Sequence, residues 1–273
     1  MASDHSRLNS WVQVHTALLV EGQSRLAGLV GTDSPDWELD LATGLLTLNG
    51  CRLQFALLGS VDQQDNTWLW SWADSGLDQG AIAVARARPL RQFGEDSGLW
   101  EFTAPSFPVD GILDLGMTPG GSLAMVACPQ IMGGAIFSGV YPGGRLYTVV
   151  TDPRLTLEPP AAATTARFIA GAMAYGVGDH RDIVTVYAGV RGLPVDETPT
   201  GLTLGFEDHT RLEIQFDGEG RICRMHGVVH APPAPLPAEE PPAPPALAEP
   251  AQPPAYSQGD TPQSFPVPAA PPG

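Results

Sequence analysis

Apolar residues recur at steps of three and four over residues 9–30, where Trp11, Val14, Leu18, Gly22, Leu26 and Leu29 fall on one side of a helical wheel. The spacing predicts one amphipathic helix, capped by Asn9 or Ser10 and ended by Gly31. The period then changes to two. Trp37, Leu39 and Leu41 alternate with acids, and a turn at Ala42–Gly44 leads into Leu45–Leu48. Asn49–Gly50 is a two-residue hairpin signal, after which Leu53, Phe55 and Leu57 alternate with Gln54 and Ala56. After the polar run Asp62–Asn66, residues 67–73 carry Trp68, Trp70 and Trp72. This pattern predicts a four-stranded antiparallel meander.

Later segments alternate between the two periods. Residues 77–92 read as a helix ending or kinking at Pro89, and 98–104 as a short strand. Residues 118–132 read as a helix with Thr118 as cap and Pro119 at the tolerated first position. Residues 135–141 and 145–151 flank Pro142–Gly144 as a hairpin, and a further helix follows over 160–177. Residues 182–190, 202–207, 211–217 and 221–225 read as strands. Hairpins outnumber strand–helix–strand units, so the expected class is α+β, with antiparallel meander sheets covered on one face by a few helices. A single domain over 9–230 is expected. The helix-plus-meander outlines of 9–110 and 111–230 suggest two halves, although no residue-level repeat accompanies them.

Composition changes after His230. Residues 231–273 hold 16 of the 28 prolines, with Ala, four acids and no base. Such a segment buries too little apolar surface to offset its ordering entropy, so a disordered acidic Pro/Ala-rich tail is expected. The chain of 273 residues has formal net charge −16, and all 14 basic residues are Arg. The acidity argues against nucleic acid and anionic membrane surfaces as partners. The lack of Lys excludes Schiff-base chemistry and a Walker-type phosphate loop. Residues 115–144 carry no formal charge, yet their prolines and glycines are incompatible with a lipid-exposed helix. Cys51, Cys128 and Cys223 are odd in number and widely spaced, which suggests three buried thiols in a reducing compartment. With no signal peptide read at the N-terminus, a cytoplasmic protein is expected.

Candidate chemistry is sparse. Trp68, Trp70 and Trp72 share one face of a strand. They read first as core beneath the helices, with an aromatic ligand platform as the alternative. The run Gly116–Met117–Thr118–Pro119–Gly120–Gly121–Ser122 lacks the Lys and spacing of a phosphate loop and reads as a loop entering a helix. A metal set of His180, Asp182 and His209 is conceivable, but neighbours on a strand point to opposite faces, and these read first as solvated turn and strand-end residues. No GxSxG elbow or catalytic Cys signature occurs. Glu38 and Asp40 read as the solvated side of a half-buried sheet. Catalytic, cofactor-binding and metal-ligating residues are therefore none, and no cofactor is expected.

The strand TWLWSWAD behind an N-terminal helix and a meander, followed by the small-residue helix SLAMVA and the hairpin FSGVYPGGRLYTVVTD, resembles an uncharacterised bacterial family classed as a domain of unknown function. The likeness covers roughly residues 10–155 and implies no activity. The expectation is a non-catalytic, soluble, intracellular binding or interaction protein with a protein partner. One alternative is a small-ligand-binding protein or hydrolase with a cleft bordered by the Trp strand. Another is an immunity protein or chaperone for a secreted partner, which would suit an acidic surface.

Overall fold

The structure is a computed structural model that describes residues 4–31, 36–155, 159–176 and 178–229. The tail over 231–273 and the expectation attached to it lie outside the described residues.

The N-terminal helix is two helices. α1 spans Ser6–Val14 and α2 spans Thr16–Val30. The chain enters α1 earlier than the cap residues suggest, because the Asp4 carboxylate accepts from the Ser6 amide at 2.9 Å. At the break, buried His15 donates from Nδ1 to the Trp11 carbonyl at 2.7 Å, and Thr16 donates to the Gln13 carbonyl at 3.1 Å. Those side chains occupy carbonyls that a continuous helix would offer to its own amides. Gly31 ends α2 as expected, at φ +87°.

The predicted meander is present: β1 (Trp37–Asp40), β2 (Leu45–Leu48), β3 (Cys51–Asp62) and β4 (Thr67–Trp70) pair antiparallel in sequence order. β3 is long because it serves several partners. Its start pairs with β2, its end with β4, and Phe55–Asp62 pair on the other edge with the later strand Gly144–Val150. The segment predicted as a helix over 77–92 is split into α3 (Ile82–Ala85) and α4 (Pro89–Ser97), with Pro89 at the first position of α4 rather than at a helix end. The strand expected over 98–104 is instead a 3-10 turn at Trp100–Phe102, and β5 (Ser106–Pro108) follows it. α5 (Pro119–Gln130), β6 (Ala135–Tyr141) and β7 (Gly144–Val150) lie where the sequence places them. The β6–β7 hairpin completes a seven-stranded sheet through β3, so this sheet runs past residue 110.

α6 (Ala162–Met173) and α7 (His180–Arg191) come next. α7 replaces the strand expected over 182–190. Its β-branched residues fit a helix because Ile183, Val184, Tyr187 and Ala188 are buried at helical spacing. Asp179 accepts from the Arg181 amide at its start, and Gly192 ends it at φ +65°. A four-stranded antiparallel sheet, β8 (Val195–Thr198), β9 (Gly201–Gly205), β10 (Thr210–Phe216) and β11 (Ile222–Val229), closes the fold. β8 has no counterpart among the expected strands, since its residues are all exposed and lack alternation.

The class is thus α+β, with antiparallel sheets and packed helices. One core joins α1 and α5 to the Trp-bearing part of the first sheet, and a second lies under α6 and α7 on the last sheet. α2 touches both α6 and α7 as well as β6, so it stands between the two sheets. No helix among the described residues is long and apolar enough to cross a membrane.

Candidate functional site

A cleft of about 480 Å³ opens where α2 crosses the chain between α5 and β6. Leu18, Leu19 and Gly22 of α2 form one wall. Met125, Cys128 and Pro129 from the second half of α5 form another, and Ala135 and Ile136 of β6 the floor. Pro153, Leu155 and Val190 complete it. The close approach depends on glycine. A Cβ on Gly22 would stand 2.4 Å from the Gly134 carbonyl oxygen, so any side chain there would push α2 off the strand.

The mouth is apolar and exposed. Met132 is 92% exposed and Val190 45% exposed. Met132 also holds a left-handed backbone, φ +52°, where the chain leaves α5 and the Gly133 amide donates to the Cys128 carbonyl at 2.8 Å. A helix end of this kind normally places glycine in the left-handed position. Here Met takes it while glycines follow at 133 and 134, so a large apolar side chain is kept at the rim despite strain.

Three ionisable side chains, Glu21, Cys128 and Asp152, reach the cleft. Glu21 is 1% exposed; it accepts from Arg25 at 3.0 Å and from the Tyr187 hydroxyl at 3.0 Å, and pairs with Arg191 at 3.3 Å. Burial, with the Glu21 carboxylate close by, pushes the Tyr187 phenol up to about 12. The Cys128 thiol is pushed up to about 12 by burial, so it stays protonated and is a poor nucleophile. Asp152 is held down to about 2 by hydrogen bonds from Arg154, first of all from its side chain, and also accepts from the Gln54 amide. Protonated Cys128 and arginine-bound Asp152 are thus poised neither as nucleophile nor as general base.

A second cavity, of about 360 Å³, adjoins the first half of α5. Ile136 lines both cavities. The second is polar on one side: Arg145 donates to Ser138 at 3.0 Å, and the Thr118 and Tyr147 hydroxyls meet at 2.5 Å. Burial raises the Tyr147 phenol above its ordinary value. Thr118 stands at the expected cap position of α5, but its hydroxyl bonds Tyr147 and caps nothing. Within the 116–122 run, packing requires Gly120, where a Cβ would fall 2.4 Å from the Tyr147 ring, and backbone conformation favours glycine at 116, at φ +75°.

The Trp residues singled out in the sequence do not border either cavity. Trp68 and Trp70 are fully buried, in edge contact with each other at 5.0 Å, and offer no ring face to a ligand. The Trp70 indole donates to the Glu101 carbonyl at 2.8 Å. Trp72 is half-buried beyond the end of β4, with the Arg91 guanidinium 5.5 Å from its ring centre. His180 accepts from the Ile222 amide through Nδ1, tying α7 to β11, and His209 is an exposed turn residue at φ +62°. Among the described residues no group of three or more His, Cys, Asp or Glu side chains is placed to hold a metal ion. Cys223 is exposed rather than buried, and Cys51 and Cys128 are half-buried.

Sequence reasoning missed Glu21, Cys128, Met132 and Arg145. Two signals were present: a lone acid inside the apolar run Ala17–Gly22, and the apolar, uncharged turn Ile131–Gly134 directly after a helix. A model of a family of unknown function (DUF6882) matches residues 9–153, more than half of the chain. No curated protein and no solved structure matches it.

Proposed function

This chain belongs to the DUF6882 family, and we propose that it is a non-catalytic binding protein whose site is the apolar cleft between α2, α5 and β6. The observation that carries the reading is the strained, 92% exposed Met132 at the mouth of a preformed apolar cavity. A volume near 480 Å³ lies in the range of small-molecule sites. Exposed apolar rims are uncommon in proteins that do not use them. Protonated Cys128 and arginine-bound Asp152 are poised neither as nucleophile nor as base, which favours binding over hydrolysis.

The test is a titration of the full chain with the neutral apolar dye N-phenyl-1-naphthylamine, followed by fluorescence. Saturable binding with one site is expected. Val190→Glu, which puts a charge at the rim, should weaken it at least about tenfold, as expected when a charge must be desolvated. Both proteins should melt alike, because Val190 is 45% exposed. Dye binding that is absent, or indifferent to Val190→Glu, would remove the proposal.

A further inference from the structure

The two cavities follow one another along α5 and β6. Gly121 and Ala124 line the polar one, and Met125, Cys128 and Pro129 line the apolar one, so both follow the same helix. Eight residues of α-helix separate Gly121 from Pro129, a rise of about 12 Å. On the strand side the order is the same: Ala135 belongs to the apolar cavity, Phe137 and Ser138 to the polar one, and Ile136 to both. Gln23 marks the junction on α2, donating to the Ile136 carbonyl at 3.0 Å.

The ends differ in chemistry. At the polar end stands Arg145, whose guanidinium bonds the neutral hydroxyl of Ser138. Among the described residues no carboxylate forms an ion pair with it. The two acids on the apolar wall, Glu21 and Asp152, are both matched by arginines, and at the polar end the Asp114 carboxylate acts on Tyr147 against the opposite pull of Arg145. The Ser138 hydroxyl, which accepts from Arg145 and keeps its own proton, and one hydroxyl of the bonded Thr118–Tyr147 pair border the same space and can donate to an anion.

We infer that the two cavities act as one groove that takes an anionic amphiphile, with a carboxylate head at Arg145 and an apolar chain running past Ile136 toward Met132. This rests on the binding reading above and adds the ligand class. A planar guanidinium with hydroxyl donors beside it suits a carboxylate, and a groove about 12 Å long with apolar walls suits a medium-length acyl chain.

Displacement of N-phenyl-1-naphthylamine from the full chain by laurate and by dodecanol separates head from chain. Laurate should bind at least about tenfold more tightly than dodecanol, since a charge-assisted hydrogen bond is worth that much. Arg145→Gln should abolish the preference and leave dodecanol binding unchanged. Arg145→Lys, which keeps the charge, should keep most of the preference and serves as the comparison if Arg145→Gln lowers the melt. Equal binding of laurate and dodecanol to the unmodified chain overturns the inference while the apolar cleft stands. So does a laurate preference that survives Arg145→Gln. If dye, laurate and dodecanol all fail to bind, the cleft reading falls and this one with it.

Discussion

Trp70 and Trp72 are two residues apart and serve different ends. Trp70 is fully buried and its indole donates to the Glu101 carbonyl, whereas Trp72 is half-buried under Arg91. Trp70→Ala should therefore cost about 3–5 kcal/mol, from lost contacts and the cavity left behind. Trp72→Ala should cost well under half of that, and urea unfolding of the two variants would show the gap. Equal losses would mean that the Trp72 ring is as enclosed as Trp70. The period of two was legible in the sequence, but where the strand stopped was not. β4 ends at Trp70, and the Ala73 amide turns back to the Trp70 carbonyl, so alternation alone carries Trp72 too far. Met132 was illegible for a related reason. A sequence offers glycine as the signal for a left-handed helix end, and here the glycine lies one residue later. Met132→Gly should relieve that strain without lowering stability, with a gain of up to about 1 kcal/mol, and weaken dye binding. A variant that melts lower would show that the Met side chain packs.

At the scale of elements, the break between α1 and α2 depends on a buried neutral imidazole. Burial lowers the His15 pKa from its ordinary 6.5, against the raising effect of its bond to Trp11. In the unfolded chain the ring protonates first as pH falls. Its contribution to stability is thus complete above about 6.5 and is lost as pH drops below that, through the lower folded value. Urea midpoints at about pH 7.5 and pH 5.5 should differ more for the native chain than for His15→Gln. Equal differences would place the acid sensitivity elsewhere. Asp152 acts in a lower window: its stabilisation is present above 3.8 and lost as pH falls through about 2. The meander and the β6–β7 hairpin were legible because Asn49–Gly50 and Pro142–Gly144 fix turns between regular runs. α7 was not, because Ile183, Val184, Val186 and Tyr187 all favour strands, and only the cap at Asp179 and the stop at Gly192 argued otherwise. Asp179→Ala should cost about 1 kcal/mol in a urea melt. No loss would show that packing alone sets the start of α7.

In the whole molecule, Glu21 is the polar joint between the two sheets. It leaves α2, which packs on the first sheet through β6, and meets Tyr187 and Arg191 of α7, which covers the last sheet. The carboxylate is 1% exposed and matched by Arg25 and Arg191, so its removal leaves positive charge in a buried setting. A loss of about 3–5 kcal/mol is expected for Glu21→Ala, as for one partner of a buried pair. Glu21→Gln, which keeps the shape and the Tyr187 bond, should cost less. The joint also sets cooperativity, and the chain carries its own reporter. All six tryptophans lie at or before residue 100, within the first sheet and its helices, while the last sheet has none. Unfolding followed by Trp fluorescence and by far-UV circular dichroism should coincide in the native chain if its cores melt as one unit. In Glu21→Ala the dichroism should begin to fall before the fluorescence, because α6, α7 and the last sheet lose their hold on α2 first. Transitions that move together in both proteins would mean that the apolar contacts of Ala17, Leu18 and Val20 with the second core suffice to hold the two parts together.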